Sequence, residues 1–468
     1  MFTVTIQTKD QCFTQKYEQE VLAAQALSNA GIVQSKPCGG RGVCGKCTIR
    51  LNGREVLSCK TMIDSDSTID YTTAVHDVQG ITAGIMRHFP KNPLVQEGFG
   101  AAIDIGTTTI AGYIYRFPAC ELVKTACVPN TQSEFGADVI SRIDCFAAGG
   151  AEKLFRRVHE AIRELTEGFP IQKYVICGNT AMLHLLTKTN PSSLAVAPYV
   201  TETLFGAWRE NAYLMRCISA FVGADTVAAA LASGMMEQQT GLLIDIGTNG
   251  EMVLKHGEKL LCCSTAAGPC FEGAGISCGT PAVSGAIGQA FVKENALSFT
   301  TIDARPPVGI CGTGLVDAVA ALLQLGVIDE SGYMENAFYF GASSVYLSPE
   351  DVRKFQLAKS AVRAGMETLL HAAEVRYEDI DAFYIAGGFG SFLNIKSAVA
   401  TGLIPAALEE KAVSIGNGAG IGAAEVLQSK QCLSLSEKIA AQAETLTLTD
   451  NPYFADQYIE NMMFEVTP

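Results

Sequence analysis

The sequence is short of positive charge: Lys and Arg total 34 against 48 Asp and Glu, a formal charge of -14 over 468 residues. That balance opposes the counterion release that drives binding to nucleic acid, so no DNA or RNA surface is expected. There is no low-complexity tail, and only 18% of residues are charged, which argues against long disordered stretches. No uninterrupted apolar run reaches the ~18 residues that a bilayer span needs. Met1 to Lys16 has no basic segment followed by an apolar one, so a cytoplasmic protein with no membrane partner is expected. A G-x-x-x-x-G-K-[ST] string is missing, which excludes a P-loop, and the six His form no H-E-x-x-H zinc-protease pair. Sixteen Cys without an export signal point to thiols or a metal centre rather than a disulfide scaffold. At roughly 100–200 residues per domain, the length allows two to four domains.

Four cysteines stand apart. Cys38, Cys44, Cys47 and Cys59 form a C-x5-C-x2-C-x11-C array within and after CGGRGVCGKC. Gly39, Gly40, Gly42 and Gly45 fall between the first three, where a loop wrapping an inorganic core needs positive φ and inward N–H groups. Four thiolates are what a [2Fe–2S] cluster requires. A structural Zn(Cys)4 site is the weaker alternative, because only Cys44 and Cys47 make a C-x2-C knuckle; four unrelated thiols are the third reading. Phe2 to Thr8 alternates like a strand, Leu22 to Ala30 reads as a helix, and Cys47 to Leu57 reads as a hairpin turning at Asn52-Gly53. The outline over residues 1–75 is a β-grasp ferredoxin, and its C-x5-C-x2-C triplet resembles the adrenodoxin-like members. Residues 76–98, punctuated by Pro90, Pro93 and Gly98, read as a linker.

The rest of the chain carries an internal repeat. AIDIGTTT at Ala102 to Thr109 and LIDIGTNG at Leu243 to Gly250 share I-D-I-G-T, and each leads into a second strand, Ile110 to Tyr115 or Glu251 to Lys255. Asp at a strand end can hold Mg²⁺ through water, Gly lets a phosphate approach the main chain, and Thr hydroxyls donate to phosphate oxygens. The first set is Asp104, Gly106, Thr107 and Thr108, and the second is Asp245, Gly247, Thr248 and Asn249. Two such hairpins suit one ATP. In AFYIAGGFGSFLN a buried strand runs into Gly387 and Gly388, a turn that suits contact with adenosine, and KYVICGNTAMLHLL repeats the plan around Gly178-Asn179. Gly418, Gly420 and Ala423 of GNGAGIGAAE mimic a dinucleotide fingerprint, but no acid-ended strand follows at the required distance. They read as tight helix packing. Cys262, Cys263, Cys270, Cys278 and Cys311 match no ligand pattern, and Pro452 to Pro468 reads as a helix packed on the body.

The hairpin pair and the Gly-Gly turn resemble the ASKHA superfamily of sugar and acetate kinases, Hsp70 and actin. With the ferredoxin head, and through FGADVISRI, GNTAMLHLL, AFVGADTVAAAL, DIGTNGE, GPCFEGAGISCG, CGTGLVDAVA and IAGGFGSFLN, the chain is similar to the reductive activators of corrinoid proteins. The resemblance implies an α/β and α+β multidomain fold. It comprises the β-grasp head, the linker, and a duplicated actin-like (ribonuclease-H-like) ATPase body over 99–468, with halves at 99–238 and 239–430 and a C-terminal tail. It implies one-electron transfer from the cluster to a Co(II) corrinoid protein, restoring Co(I), with ATP covering an uphill step: a gap of roughly 200 mV corresponds to about 4.6 kcal/mol at 59 mV per tenfold. Either Asp245 or Asp104 positions Mg²⁺ or the attacking water. The cobalt belongs to the partner, since D-x-H-x-x-G does not occur here. A low-potential electron donor and a homodimer are further implications. Known members are longer, so the chain reads as a compact variant lacking a middle domain. A small-molecule kinase with a regulatory iron–sulfur head, or a non-catalytic redox sensor, is the competing expectation.

Overall fold

The structure is a computed structural model, and it describes residues 1–8, 11–33, 47–71, 84–136 and 138–464. The chain forms two compact units, Met1–Gly234 with Ile415–Gln442, and Met235–Ser414 with Ala443–Pro468. Among the described residues no helix is long and apolar enough to cross a membrane.

The first unit begins with a head built on a mixed five-stranded sheet. Its order is Cys12–Tyr17, Phe2–Gln7, Ser67–Asp70, Thr48–Leu51, Arg54–Leu57. Phe2–Gln7 runs parallel to Ser67–Asp70 and antiparallel to Cys12–Tyr17. Alternation places Val4 and Ile6 inward, where helix Ala23–Asn29 covers them with Ala23, Ala26 and Leu27, beside Ile49 and Ile69. Thr48–Leu51 and Arg54–Leu57 form the expected hairpin, and its two-residue turn takes positive φ at both Asn52 (49°) and Gly53 (80°). That is the twist-matched turn which Asn-Gly favours.

The same unit continues with a six-stranded sheet in the order Glu121–Pro129, Thr109–Phe117, Gly98–Ile105, Ile171–Gly178, Ala212–Leu214, Ala207–Arg209. The repeated hairpin is at its centre: Gly98–Ile105 is antiparallel to Thr109–Phe117 and parallel to Ile171–Gly178. Neighbouring residues of one strand show what covers each face. A Cβ on Gly112 would meet Leu165 of helix Ala151–Thr166 at 3.3 Å, whereas Tyr113 lies against Gly420 of helix Gly418–Gln428.

The second unit repeats the plan. Thr240–Ile246 is antiparallel to Gly250–His256 and parallel to Ala382–Ala386, and Lys259–Thr265 extends the sheet beyond Gly250–His256. Helices Gly312–Gln324 and Pro349–Ala373 contribute Leu315, Val319, Val352, Phe355 and Val362 to one apolar core with Leu242, Ile244 and Phe383. Pro349–Ala373 starts on a reciprocal Ser348/Asp351 cap with Pro at its first turn. Helix Pro452–Glu460 packs on it as expected, with Tyr453 stacked on His371 at 4.0 Å and Gln356 Nε2 donating to Met462 O at 2.8 Å.

Candidate functional site

Both Asp-Ile-Gly-Thr strings lead into the turn of a β-hairpin, in matching register. Asp104 stands opposite Ala111 on the antiparallel side and Cys177 on the parallel side; Asp245 stands opposite Glu251 and Ala386. The last cross-strand pairs are Ile105–Ile110 and Ile246–Gly250, so the first turn spans residues 106–109 and the second, one residue shorter, 247–249.

The first turn closes with Gly106 N–H donating to Thr109 O at 3.0 Å, and a Cβ on Gly106 would stand 2.7 Å from that oxygen. Glycine is required there. Every carbonyl of residues 106–108 accepts from outside the turn. Asn130 Nδ2 donates to Gly106 O at 2.8 Å, Arg142 Nη2 to Thr107 O at 2.7 Å, and Asn130 N–H to Thr108 O at 2.8 Å. Asn179 Nδ2 adds a bond to Thr107 Oγ1 at 3.2 Å, while its Oδ1 caps helix Thr180–Thr187. Carbonyls that would repel an anion are thus turned onto protein donors. Arg142 is fully buried, and burial lowers its pKa to about 10, which leaves it charged at neutral pH.

Asp104 sits just before this turn, half-buried. Its Oδ2 accepts from Asn417 Nδ2 at 3.0 Å, and Cys177 Sγ lies 3.8 Å from Oδ1. Burial, then the charge of Asp225, raises its pKa to about 7; the Asn417 and Cys177 contacts work in the other direction. Asp225, in helix Ala224–Ser233, is itself raised to about 6 by burial.

The second turn closes with Gly247 N–H donating to Asn249 O at 2.8 Å. Its surroundings differ: Thr248 Oγ1 donates to Glu272 Oε2 at 2.6 Å, and Gly268 N–H donates to Thr248 O at 2.9 Å. Behind it, Gly387 has φ +82°, and a Cβ there would stand 2.3 Å from Asp245 Oδ1. Strand Ala382–Ala386 does run into helix Gly387–Phe392, but in this structure Gly387 is required to admit the Asp245 carboxylate; Gly388 is exposed beside it.

The structure therefore brings Asp104 together with Gly106, Thr107 and Thr108, and Asp245 together with Gly247, Thr248, Asn249 and Gly387. Sequence reasoning missed Asn130, Arg142, Asn417, Asp225 and Glu272 as parts of these turns. Only Asn179 had a local signal, as the residue after Gly178. The dinucleotide look-alike is resolved as packing: a Cβ on Gly418 would lie 3.1 Å from Ala229 Cβ, on Gly420 2.3 Å from Tyr113, and on Gly422 2.0 Å from Ala228 O.

Of the four cysteines, Cys38 and Cys44 lie outside the described residues. Cys47 and Cys59 are buried with their sulfurs 3.1 Å apart, and Ser58 N–H donates to Cys47 O at 2.9 Å. The hairpin Thr48–Leu57 returns the chain so that these two thiols meet. Among the described residues no group of three or more His, Cys, Asp or Glu could hold a metal.

Two family models match the chain: the RACo middle region at residues 99–238, and the C-terminal ASKHA domain of RACo at 239–468. The middle region is thus present, correcting the expectation that it is missing; the segment 99–238, expected to be the first half of the ASKHA body, is what matches it. The corrinoid activation enzyme RamQ of Eubacterium limosum is 29% identical over 575 residues, covering 95% of this chain and 96% of RamQ. That alignment exceeds the chain's own 468 residues, so the relative carries insertions that this chain lacks. The [Co(II) methylated amine-specific corrinoid protein] reductase of Methanosarcina barkeri is 26% identical, over 77% of this chain and 76% of its own. The solved structure of the reductive activator for corrinoid, iron–sulfur protein matches with a TM-score of 0.72 at 26% identity, covering 100% of this chain and 99% of that one. Because the two family models abut and span residues 99–468, more than three quarters of the sequence, this chain belongs to the RACo family of reductive activators.

Proposed function

We propose that this chain is an ATP-dependent reductive activator that passes one electron to the Co(II) of a corrinoid protein and restores Co(I), the state competent for methyl transfer. The observation that carries this reading is the family match over 99–468, in which each part holds an Asp-Ile-Gly-Thr turn at the same register of the same sheet plan. The turns have the chemistry for phosphate: glycine backbones, threonine hydroxyls, and a carboxylate two residues upstream of each glycine. Asp104 and Asp245 are the groups to hold Mg²⁺ or orient the attacking water. ATP then supplies the free energy for a reduction that is unfavourable by itself.

Cys38, Cys44, Cys47 and Cys59 would hold a [2Fe–2S] cluster in the head. The described pair fits that assignment, since two buried thiols with sulfurs 3.1 Å apart, and no disulfide between them, are a soft donor set. When bound, the cluster supplies a one-electron donor. The chain's own part is to bury two of the ligands on the hairpin ends and to bind nucleotide on the Gly-Thr turns. A low-potential donor reloads the head from outside.

The test is anaerobic. Reduced protein is mixed with a Co(II) corrinoid protein of the same organism and Co(I) is followed by absorbance. Co(I) is expected only with ATP, and not in Asp245→Ala or Cys38→Ser. If intact, reduced protein yields no Co(I) with any corrinoid protein of that organism, the activator reading is wrong.

A further inference from the structure

The segment expected to be a linker is a built strap over residues 84–94. Gly84 pairs with Gly416, and a Cβ on it would stand 2.7 Å from Ile421. Arg87 follows, its N–H donating to Glu425 Oε1 at 3.2 Å and its Nη2 lying 3.5 Å from Oε2. Lys91 Nζ donates to Gln428 Oε1 at 2.7 Å, and the N–H groups of Asn92 and Leu94 donate to the carbonyls of Gln428 and Leu427 at 3.1 and 3.0 Å. The strap thus follows helix Gly418–Gln428 from its first turn to its last. Glu425 has no solvent exposure, so Arg87 is the cation that balances a buried carboxylate. The Arg87 stem also lies against Gly234, the left-handed cap of helix Ala224–Ser233, with Cδ 3.0 Å from the Cβ position. A cation is favoured at such a C-terminus.

The Gly84 end of this assembly meets two functional elements. There the strap is paired with the cysteine-bearing head: Ile32–Val33 is antiparallel to Gly84–Ile85, and Met86 N–H donates to Gly31 O. Gly31 has φ +79°, and a Cβ there would stand 2.1 Å from Met86 O, so the approach is closed to any larger residue. At the same end, next to Gly416 and its partner Gly84, Asn417 caps the helix, its Oδ1 accepting from Gly420 N–H at 2.6 Å while its Nδ2 donates to Asp104. Along the helix, Gly418, Gly420 and Gly422 put helix backbone directly on Ala229, Tyr113 and Ala228. Close-packed contacts of this kind transmit a displacement instead of absorbing it.

We propose that the strap couples the first nucleotide turn to the cysteine-bearing head, with Arg87 latching it to helix Gly418–Gln428. The proposal rests on the reading of that turn as a nucleotide site. Magnesium nucleotide competes for the Asp104 oxygen that now accepts from Asn417; this is the contact that differs between the empty and filled turn, and only such a difference can bias the strap. The change passes through Gly416 and the helix into the strap, which is paired at Gly84 and held at residues 425–428, and the strap carries it to Gly31–Val33.

The experiment uses the full-length protein with its natural metal content. Hydrogen exchange of residues 84–98 is measured with and without the magnesium complex of a non-hydrolysable ATP analogue, and analogue affinity is measured by calorimetry. In the wild type, exchange of this segment is expected to change at least tenfold on saturation. Arg87→Met is expected to bind the analogue within threefold of the wild type and to lose the response, and Arg87→Lys, which keeps the charge, to regain part of it. Should Arg87→Met fail to fold, Lys91→Met makes the same comparison with a smaller loss. A wild-type segment unmoved by bound analogue, or an Arg87→Met protein that responds like the wild type, overturns the coupling alone. An analogue that does not bind the wild type removes the nucleotide reading as well, and calorimetry shows this directly.

Discussion

The turn after Asp104 is braced by a buried cation and two asparagine side chains, whereas the turn after Asp245 is braced through its threonine by an exposed carboxylate. The strand plan and register are shared, and the strings DIGTTT and DIGTNG differ little, so the contrast comes from residues far away in sequence. What it teaches is that a duplicated motif can preserve backbone shape while its two copies acquire opposite electrostatics. In the first turn the carbonyls that would repel an anion are tied to protein donors. The second sets the Glu272 carboxylate on its threonine hydroxyl, so a phosphate bound there would need a cation with it.

The largest effect expected from breaking this contrast lies at Arg142. Arg142→Met removes the donor to Thr107 O and also that to Gly136 O, which Nε reaches at 2.9 Å. Two partly buried carbonyls lose their partner, a cost of about 1–3 kcal/mol each. Stability in urea is expected to fall accordingly, and ATP affinity by roughly 100-fold, equivalent to about 2.7 kcal/mol. Unchanged affinity in a folded variant would mean that the first turn does not need its brace. Next comes Gly387→Ala in the second unit. The left-handed backbone costs about 1–2 kcal/mol, and the new Cβ, 2.3 Å from Asp245 Oδ1, displaces that carboxylate. Gly326→Ala is the control, because its φ of +67° imposes a comparable strain with nothing within 4 Å. ATP turnover is expected to drop about tenfold or more in the first variant and to persist in the second; equal turnover would show that Asp245 placement is unimportant.

Which parts of this were legible in the sequence follows from range. Asp104, Gly106, Asp245 and Gly247 declare themselves because the turn needs them within a few residues of one another. The head's hairpin at Asn52-Gly53 is equally local. Arg142 and Asn417 are invisible by the same logic: Asn417 is 313 residues from the carboxylate it serves. The strap illustrates the point from the other direction. Pro90, Pro93 and Gly98 are the composition of a linker, and only the arrival of Glu425, Leu427 and Gln428 from the far end of the chain turns residues 84–94 into a paired structure. The glycines of 418–422 show packing in the sequence because close helix contact leaves a spacing of small residues, while the partners Ala228, Ala229 and Tyr113 come from distant parts of the chain.

The raised pKa of Asp104 gives a smaller effect with a definite sign. Its folded value of about 7 lies above its ordinary 3.8, so the folded state holds the proton more tightly. The stabilising contribution is complete below about pH 3.8, shrinks as pH rises, and is gone above about pH 7. Asp225, raised to about 6, and Glu425, raised to about 7, act in the same direction. The protein without nucleotide is therefore expected to lose stability from pH 5 to pH 8. Asp104→Asn, which can still accept from Asn417, should flatten that slope: its Tm should exceed the wild type's by roughly 2–4 °C at pH 8, for about 1 kcal/mol, and approach it at pH 5. Parallel curves for the two proteins would place the slope on other groups.

Glu272 separates two accounts of the second turn with the smallest expected change. If its carboxylate only holds Thr248 in place, Glu272→Gln should alter the binding of free ATP and of magnesium ATP by the same factor. If its charge is what keeps phosphate away, the two must diverge. A carboxylate about 4 Å from one phosphate charge in water costs about 1 kcal/mol, so removing it should tighten magnesium-free ATP by about fivefold. With magnesium present, the cation already neutralises the repulsion, and affinity should change less than threefold. Calorimetric titrations with and without a chelator give both numbers on one preparation. A common factor would return Glu272 to a purely geometric role, while a selective gain for the metal-free nucleotide would establish that the second turn is selective for ATP that arrives with its cation.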